Sequence, residues 1–132
     1  MHIISYIRGM NIDLSKAGLA RYHNKAEIIE KTALQVIKDF ALFGIQIDFP
    51  DNLNYAYEEL YRQLNTQVEE LLALNSSKLL SILYQIDIPE KKIRKEADEN
   101  SERELPEIIT ELILDRELKK VLTRIYFSNL NS

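Results

Sequence analysis

Between Leu105 and Ile125 the apolar residues of this chain change sides. At about 100° per residue, Leu105, Ile108, Ile109, Leu112 and Ile113 cluster on one side of a helix, and Leu114, Leu118, Val121, Leu122 and Ile125 on nearly the opposite side. The polar residues swap with them: Glu107, Glu111 and Asp115 first, then Arg116, Lys120 and Arg124. A straight helix packed on a single core shows one stripe. Either this helix breaks near Leu114–Glu117, or its two halves bury against different partners. Leaving the second five residues in water would expose an apolar stripe of a kind that soluble monomers avoid. A two-fold dimer is the commonest cover for a self-complementary stripe, so Leu114, Leu118, Val121, Leu122 and Ile125 are read as a candidate oligomer interface. The rival readings are a kink near Asp115 and a layer of residues 1–23 over the second face.

The rest of the chain is also helical in pattern. Three Gly (Gly9, Gly18, Gly44) and three Pro (Pro50, Pro89, Pro106) are too little punctuation for a β-sandwich of 132 residues. Residues 24–43 form a predicted helix, with Asn24 and Glu27 as a capping pair and Ile29, Ala33, Val36, Phe40 and Phe43 on one face. Gly44 is placed to end it in a left-handed conformation. Residues 45–49 alternate like a strand but have no partner. They are expected to be an extended connector that buries Ile45, Ile47 and Phe49 and stops at Pro50. Over 53–74, Tyr57, Tyr61, Leu64, Val68 and Leu71 make a short heptad seam. Asn75-Ser76-Ser77 breaks that helix and caps the next, which has Leu79, Ile82, Leu83 and Ile86 on one face. Asp87 is read as the cap of a further short helix, with Pro89 in its first turn. An exposed acid-rich link follows at 96–104, and Ser101 with Glu104 as a capping box starts the last helix, about 104–127.

The expected fold is all-α: an antiparallel bundle of four to five helices with an extended connector near 45–49. The domain is placed at 24–127. Residues 1–23 are expected as an arm, an irregular segment or a short helix, and residues 128–132 should fray.

Several chemistries are excluded by composition. With no Cys there is no disulfide framework, zinc finger, iron–sulfur site or thiol nucleophile. Two His and no Cys argue against a zinc enzyme. No apolar run reaches the ~18–20 residues of a membrane span. Met1 to Met10 is too short and polar to read as a signal peptide, and a cytoplasmic location is expected. The Ser-nucleophile elbow, the His-Glu-x-x-His zinc motif and the phosphate-binding loop are all missing. No catalytic, cofactor-binding or metal-ligating residue is assigned.

From about Lys78 to Phe127, the strings LLSILYQIDIPEKKIRK and LPEIITELILDRELKKVLTRIYF resemble a family of small helical bacterial proteins with no assigned activity. The resemblance implies the helical class and supplies no site residues.

Four constellations bear on chemistry. His23 precedes the Asn24 cap, where an exposed polar residue is commonplace; a general-base role is the sharper alternative. Glu107, Glu111 and Asp115 form an i, i+4, i+8 stripe. Di-iron bundles pair such acids with Glu-x-x-His motifs that this chain lacks, so the stripe reads as a solvated acidic face near a helix N-terminus. Residues 76–97 read as helix, turn, helix, with Lys91, Lys92, Arg94 and Lys95 as candidate nucleic-acid contacts. Against DNA stand Leu83, Asp87 and Glu96 at positions that want a small residue, a Gly and an apolar residue, together with a pI near 5.3. Tyr55, Tyr57, Tyr61, Tyr84 and Tyr126 could line a small-molecule pocket; core packing with hydroxyls at the rim is the plainer account.

Charge is uneven along the chain. Residues 1–38 carry a net +3 and residues 39–90 a net −7. That imbalance invites association within the fold or between copies. The sequence therefore points to a non-enzymatic interaction or structural module that self-associates, as a dimer, without a membrane or nucleic-acid partner. A helix-turn-helix regulator, and an enzyme or small-ligand binder with an unrecognised site, are the alternatives.

Overall fold

The computed structural model describes residues 13–130 and contains six helices among them: α1 (Lys16–Ala20), α2 (Ala26–Ala41), α3 (Ala56–Leu74), α4 (Ser76–Ile86), α5 (Glu90–Glu99) and α6 (Leu105–Leu130). No strand occurs among the described residues. The chain is an all-α helical bundle with six helices rather than four to five. The added one is α1, which falls inside the expected arm; residues 1–12 of that arm lie outside the described residues.

Local chemistry sets most boundaries. Ser15 Oγ caps α1 by accepting the Gly18 N–H at 3.2 Å. Asn75 Oδ1 caps α4 by accepting the Lys78 N–H at 3.2 Å. Gly44 takes φ 73° beyond α2, and Ile45 N–H closes the turn on the Phe40 carbonyl. Three expected caps are not used. The first residue of α2 is Ala26, after an uncapped Lys25, so Asn24 and Glu27 do not cap it. Asp87 ends α4 in a left-handed turn, φ 73° and ψ 49°, instead of starting α5, which follows Pro89. Similarly, α6 starts at Leu105 without Ser101; the Glu107 carboxylate reaches back to accept the Glu104 N–H at 3.4 Å.

The connector at 45–49 is extended, and the Gln63 side chain stands in for a strand partner. Asp48 N–H donates to Gln63 Oε1 at 2.8 Å, and Gln63 Nε2 donates to the Asp48 carbonyl at 2.9 Å. Ile45 and Ile47 are buried, but Phe49 is 40% exposed, against expectation.

Helix α6 runs unbroken through Leu114–Glu117 and packs against each of the other five helices. Its first half joins the main core: Ile108, Ile109, Leu112, Ile113 and Leu114 pack with apolar residues of α2, α3 and α4. Farther along, Leu118 and Leu122 pack with Leu19 of α1, bordered by Leu14, Tyr22 and Ile28. The candidate oligomer interface is therefore corrected. Leu114, Leu118, Val121 and Leu122 are only 1%, 1%, 3% and 4% exposed, buried within one chain, and Ile125 is half-buried. The helix needs no break and no second copy, because α1 lies over the face that the α2–α4 core leaves open. Among the described residues, no helix is long and apolar enough to cross a membrane.

Candidate functional site

The acidic stripe of α6 is not a solvated face. Segment 13–20 lies across it, and Lys16 Nζ reaches Glu111 Oε1 at 3.1 Å. Arg103, from the α5–α6 link, pairs with the other Glu111 oxygen. Burial pushes the Glu111 carboxyl upward, but the hydrogen bonds from Arg103 and Lys16 outweigh it and hold it below the ordinary value. Thus Glu111 is a structural clamp holding α1 and the link to α6. Gly18 lets Asp13 fold back against the start of α1, since a Cβ there would run into the Asp13 backbone and side chain.

One turn on, Asp115 has no such partner among the described residues. It borders a pocket of about 250 Å3 between α1, the α4–α5 turn, α5 and α6. Leu19, Ile88 and Leu112 supply apolar wall; Lys16, Asp87, Lys92, Glu96, Asp115, Arg116 and Lys119 supply charge. Two of the cations are engaged: Lys16 on Glu111, and Arg116 on Asp87 at 3.2 Å. Lys92, Glu96, Asp115 and Lys119 form no ion pair among the described residues, although the two lysines and two acids line one cavity.

The electrostatics record that frustration. Burial pushes the Asp115 carboxyl up to about 6, against the pull of Lys16, Lys92 and Lys119. On Lys119, burial, and then repulsion from Lys92 and Arg116, push the ammonium down. Asp115 and Lys119 are half-buried without an ion pair among the described residues, which is costly, whereas Lys92 is exposed and Glu96 accepts a hydrogen bond from Asn100 Nδ2 at 3.4 Å. Two perturbed groups bordering one cavity make it the candidate site.

The other candidates fall elsewhere. His23 is not an exposed cap residue: its ring stacks on Tyr57 with centroids 3.6 Å apart and planes 12° from parallel. Its Nε2 is buried without a hydrogen bond among the described residues, and burial lowers its pKa. The tyrosines do not converge. Tyr55 and Tyr84 are exposed, Tyr126 is buried, and none lines the charged pocket. Of the basic residues on α5, Lys92 borders the pocket, Arg94 pairs with Glu90 at 3.6 Å, and Lys91 and Lys95 are exposed. Among the described residues, no three His, Asp or Glu side chains are grouped to hold a metal ion.

The sequence reading named Asp115, Lys92, Asp87 and Glu96, but in separate roles, and it missed Lys16, Arg116 and Lys119 as site residues. The available signal was that the α6 stripe continues by four residues from Asp115 to Lys119. These features define an all-helical bundle with a charged pocket against its central helix. No family model, curated protein or solved structure matches the chain.

Proposed function

We propose that this chain is a non-enzymatic binding module whose pocket takes a small zwitterion, a molecule carrying a carboxylate or phosphate beside an ammonium group. One observation carries this reading: Lys92 and Lys119, with Glu96 and Asp115, line a single cavity without forming an ion pair among the described residues. A ligand with both charges compensates both sets at once. Its anionic end meets Lys92 and Lys119, and its ammonium end meets Asp115 and Glu96. The volume of about 250 Å3 lies below the ~300–1,000 Å3 of drug-sized sites, so the ligand is small. The partner in this reading is a small molecule; docking of a second copy through the α6 stripe is given up, because four of its five side chains, Leu114, Leu118, Val121 and Leu122, lie inside the chain.

A thermal-shift series with acetate, methylammonium and glycine tests it. Glycine is expected to raise Tm where each half-charge alone does not, and Lys119→Ala should abolish the effect. A rise with acetate equal to that with glycine would replace the zwitterion by a simple anion; no rise with any of the three would count against a site for small charged molecules.

One observation favours a second reading, a helix-turn-helix contact to DNA. Asp87 supplies the left-handed turn between α4 and α5, and Lys91 and Lys95 are exposed beside it. The acids Glu90, Glu96, Asp98 and Glu99 on the same helix oppose it. A gel shift at physiological salt, lost in Lys91→Glu/Lys95→Glu, would move this reading to first place.

A further inference from the structure

We infer that the groove between α2 and the C-terminal half of α6 is a docking surface for an acidic amphipathic helix of a partner protein. The groove encloses about 590 Å3 and lies apart from the charged pocket, with no lining residue in common. Ile125 of α6, half-buried, gives it one apolar wall beside the buried Val121, and Leu34 of α2, 53% exposed, gives the opposite one. Its rim is cationic: Lys31, Lys38 and Arg124, against the single acid Glu27.

None of the three rim cations pairs with a carboxylate among the described residues. Among the described residues, the Arg124 guanidinium donates only to the neutral Gln35 amide oxygen, at 3.1 Å. On a chain of net charge −4 this is a locally basic strip. Lys31 and Lys38 are two helical turns apart on α2, about 10.5 Å at 1.5 Å per residue, with Leu34 between them. A helix laid into such a groove is read through apolar residues at i, i+3 or i+4. The rim requires acids flanking that apolar stripe about two turns apart.

The charge also argues against a second copy as occupant. Groove-to-groove pairing would set Lys31, Lys38 and Arg124 against their own counterparts, and facing like charges oppose docking. A head-to-tail contact between this groove and another face would grow open chains unless it closed a ring. A partner of opposite charge meets neither obstacle.

The test uses the full chain and a fluorescent synthetic helix of roughly 14 residues, with two Leu one turn apart flanked by Glu. A peptide of the same composition in scrambled order is the control, and binding is read by anisotropy. The patterned peptide is expected to bind at least about tenfold more tightly than the scrambled one. Lys31→Glu/Lys38→Glu, both exposed and outside the core, should weaken binding by about tenfold or more with an unchanged circular dichroism spectrum. Lys92→Ala in the charged pocket should leave it unchanged. Equal binding of the two peptides would reduce the strip to unspecific electrostatics and overturn the proposal. So would undiminished binding by the double variant. A wild-type dimer that Lys38→Glu dissociates would make a second copy the occupant instead. A gain of more than about tenfold on deleting residues 1–12 would assign the groove to the chain's own N-terminal segment; either result overturns the partner assignment.

Discussion

Lys120 Nζ lies 3.3 Å from Glu117 Oε1, inside the packing of α2 against α6, where the Glu117 side chain is completely buried. The same ammonium is 3.7 Å from Asp39 Oδ2. Among the described residues, neither Glu117 oxygen, nor Asp39 Oδ2, has a hydrogen-bond donor. Two ionised carboxylates can only accept, so their contact becomes a hydrogen bond when one of them holds a proton. Burial, and then Asp39, push the Glu117 carboxyl up to about 8, while Lys120 pulls it back.

The consequence is a pH-dependent stability. The folded chain keeps a proton on Glu117 that the unfolded chain releases near its ordinary value of 4.5. That contribution is complete below the unfolded value and is lost as pH rises toward 8. The slope is at most about 1.4 kcal/mol per pH unit for one proton. Glu117→Gln removes the titration and keeps the shape. Its stability should exceed that of the wild type near pH 8, with a smaller difference near pH 4.5, in urea denaturation followed across that range. Parallel pH profiles for the two proteins would contradict the assignment.

Leu118 tests whether the second face of α6 is covered from within. Leu118→Ala should destabilise the chain by about 2–5 kcal/mol, as for a buried leucine, with no change in mass by light scattering. A variant of wild-type stability but altered oligomeric state would return these residues to an interface between copies.

Asp87 tests the turn that forms one edge of the pocket. A non-glycine residue in the left-handed region costs about 1–2 kcal/mol. The Asp87–Arg116 pair recovers little, because an exposed ion pair is worth about 0–1 kcal/mol and the Asp87 side chain is 80% exposed. Asp87→Gly should therefore be more stable than Asp87→Ala by about 1 kcal/mol. Equal thermal midpoints for the two variants would mean that the turn relaxes away from this conformation.

Legibility in the sequence followed the range of the interactions. Helices α3 and α4 and the break at Asn75 are set by local periodicity and a side-chain cap, and they stand where the pattern put them, except that Leu53–Tyr55 forms a 3-10 turn ahead of α3. The role of Asp87 was misread because Asp favours an N-cap and also tolerates a left-handed turn, and only the packing of Ile88 decides between them. The two faces of α6 were visible, but not what covers the second: Leu19 meets Leu118 and Leu122 across about a hundred residues of sequence, beyond any periodicity. The pocket failed for the same reason. Asp115 and Lys119 share one helix, but Lys92 and Lys16 reach them only through the fold. The acids of the stripe looked solvated because nothing in residues 13–20 announces that Lys16 will lie over Glu111.

The most direct test of the central claim is a titration of the labelled protein with a series of ω-amino acids of increasing chain length, followed by backbone amide shifts. The uncompensated charges of the pocket predict saturable shifts at Lys92, Glu96, Asp115, Arg116 and Lys119, strongest for the length that spans both charge sets and absent in Lys119→Ala. No saturable shift at these amides with any member of the series would contradict it.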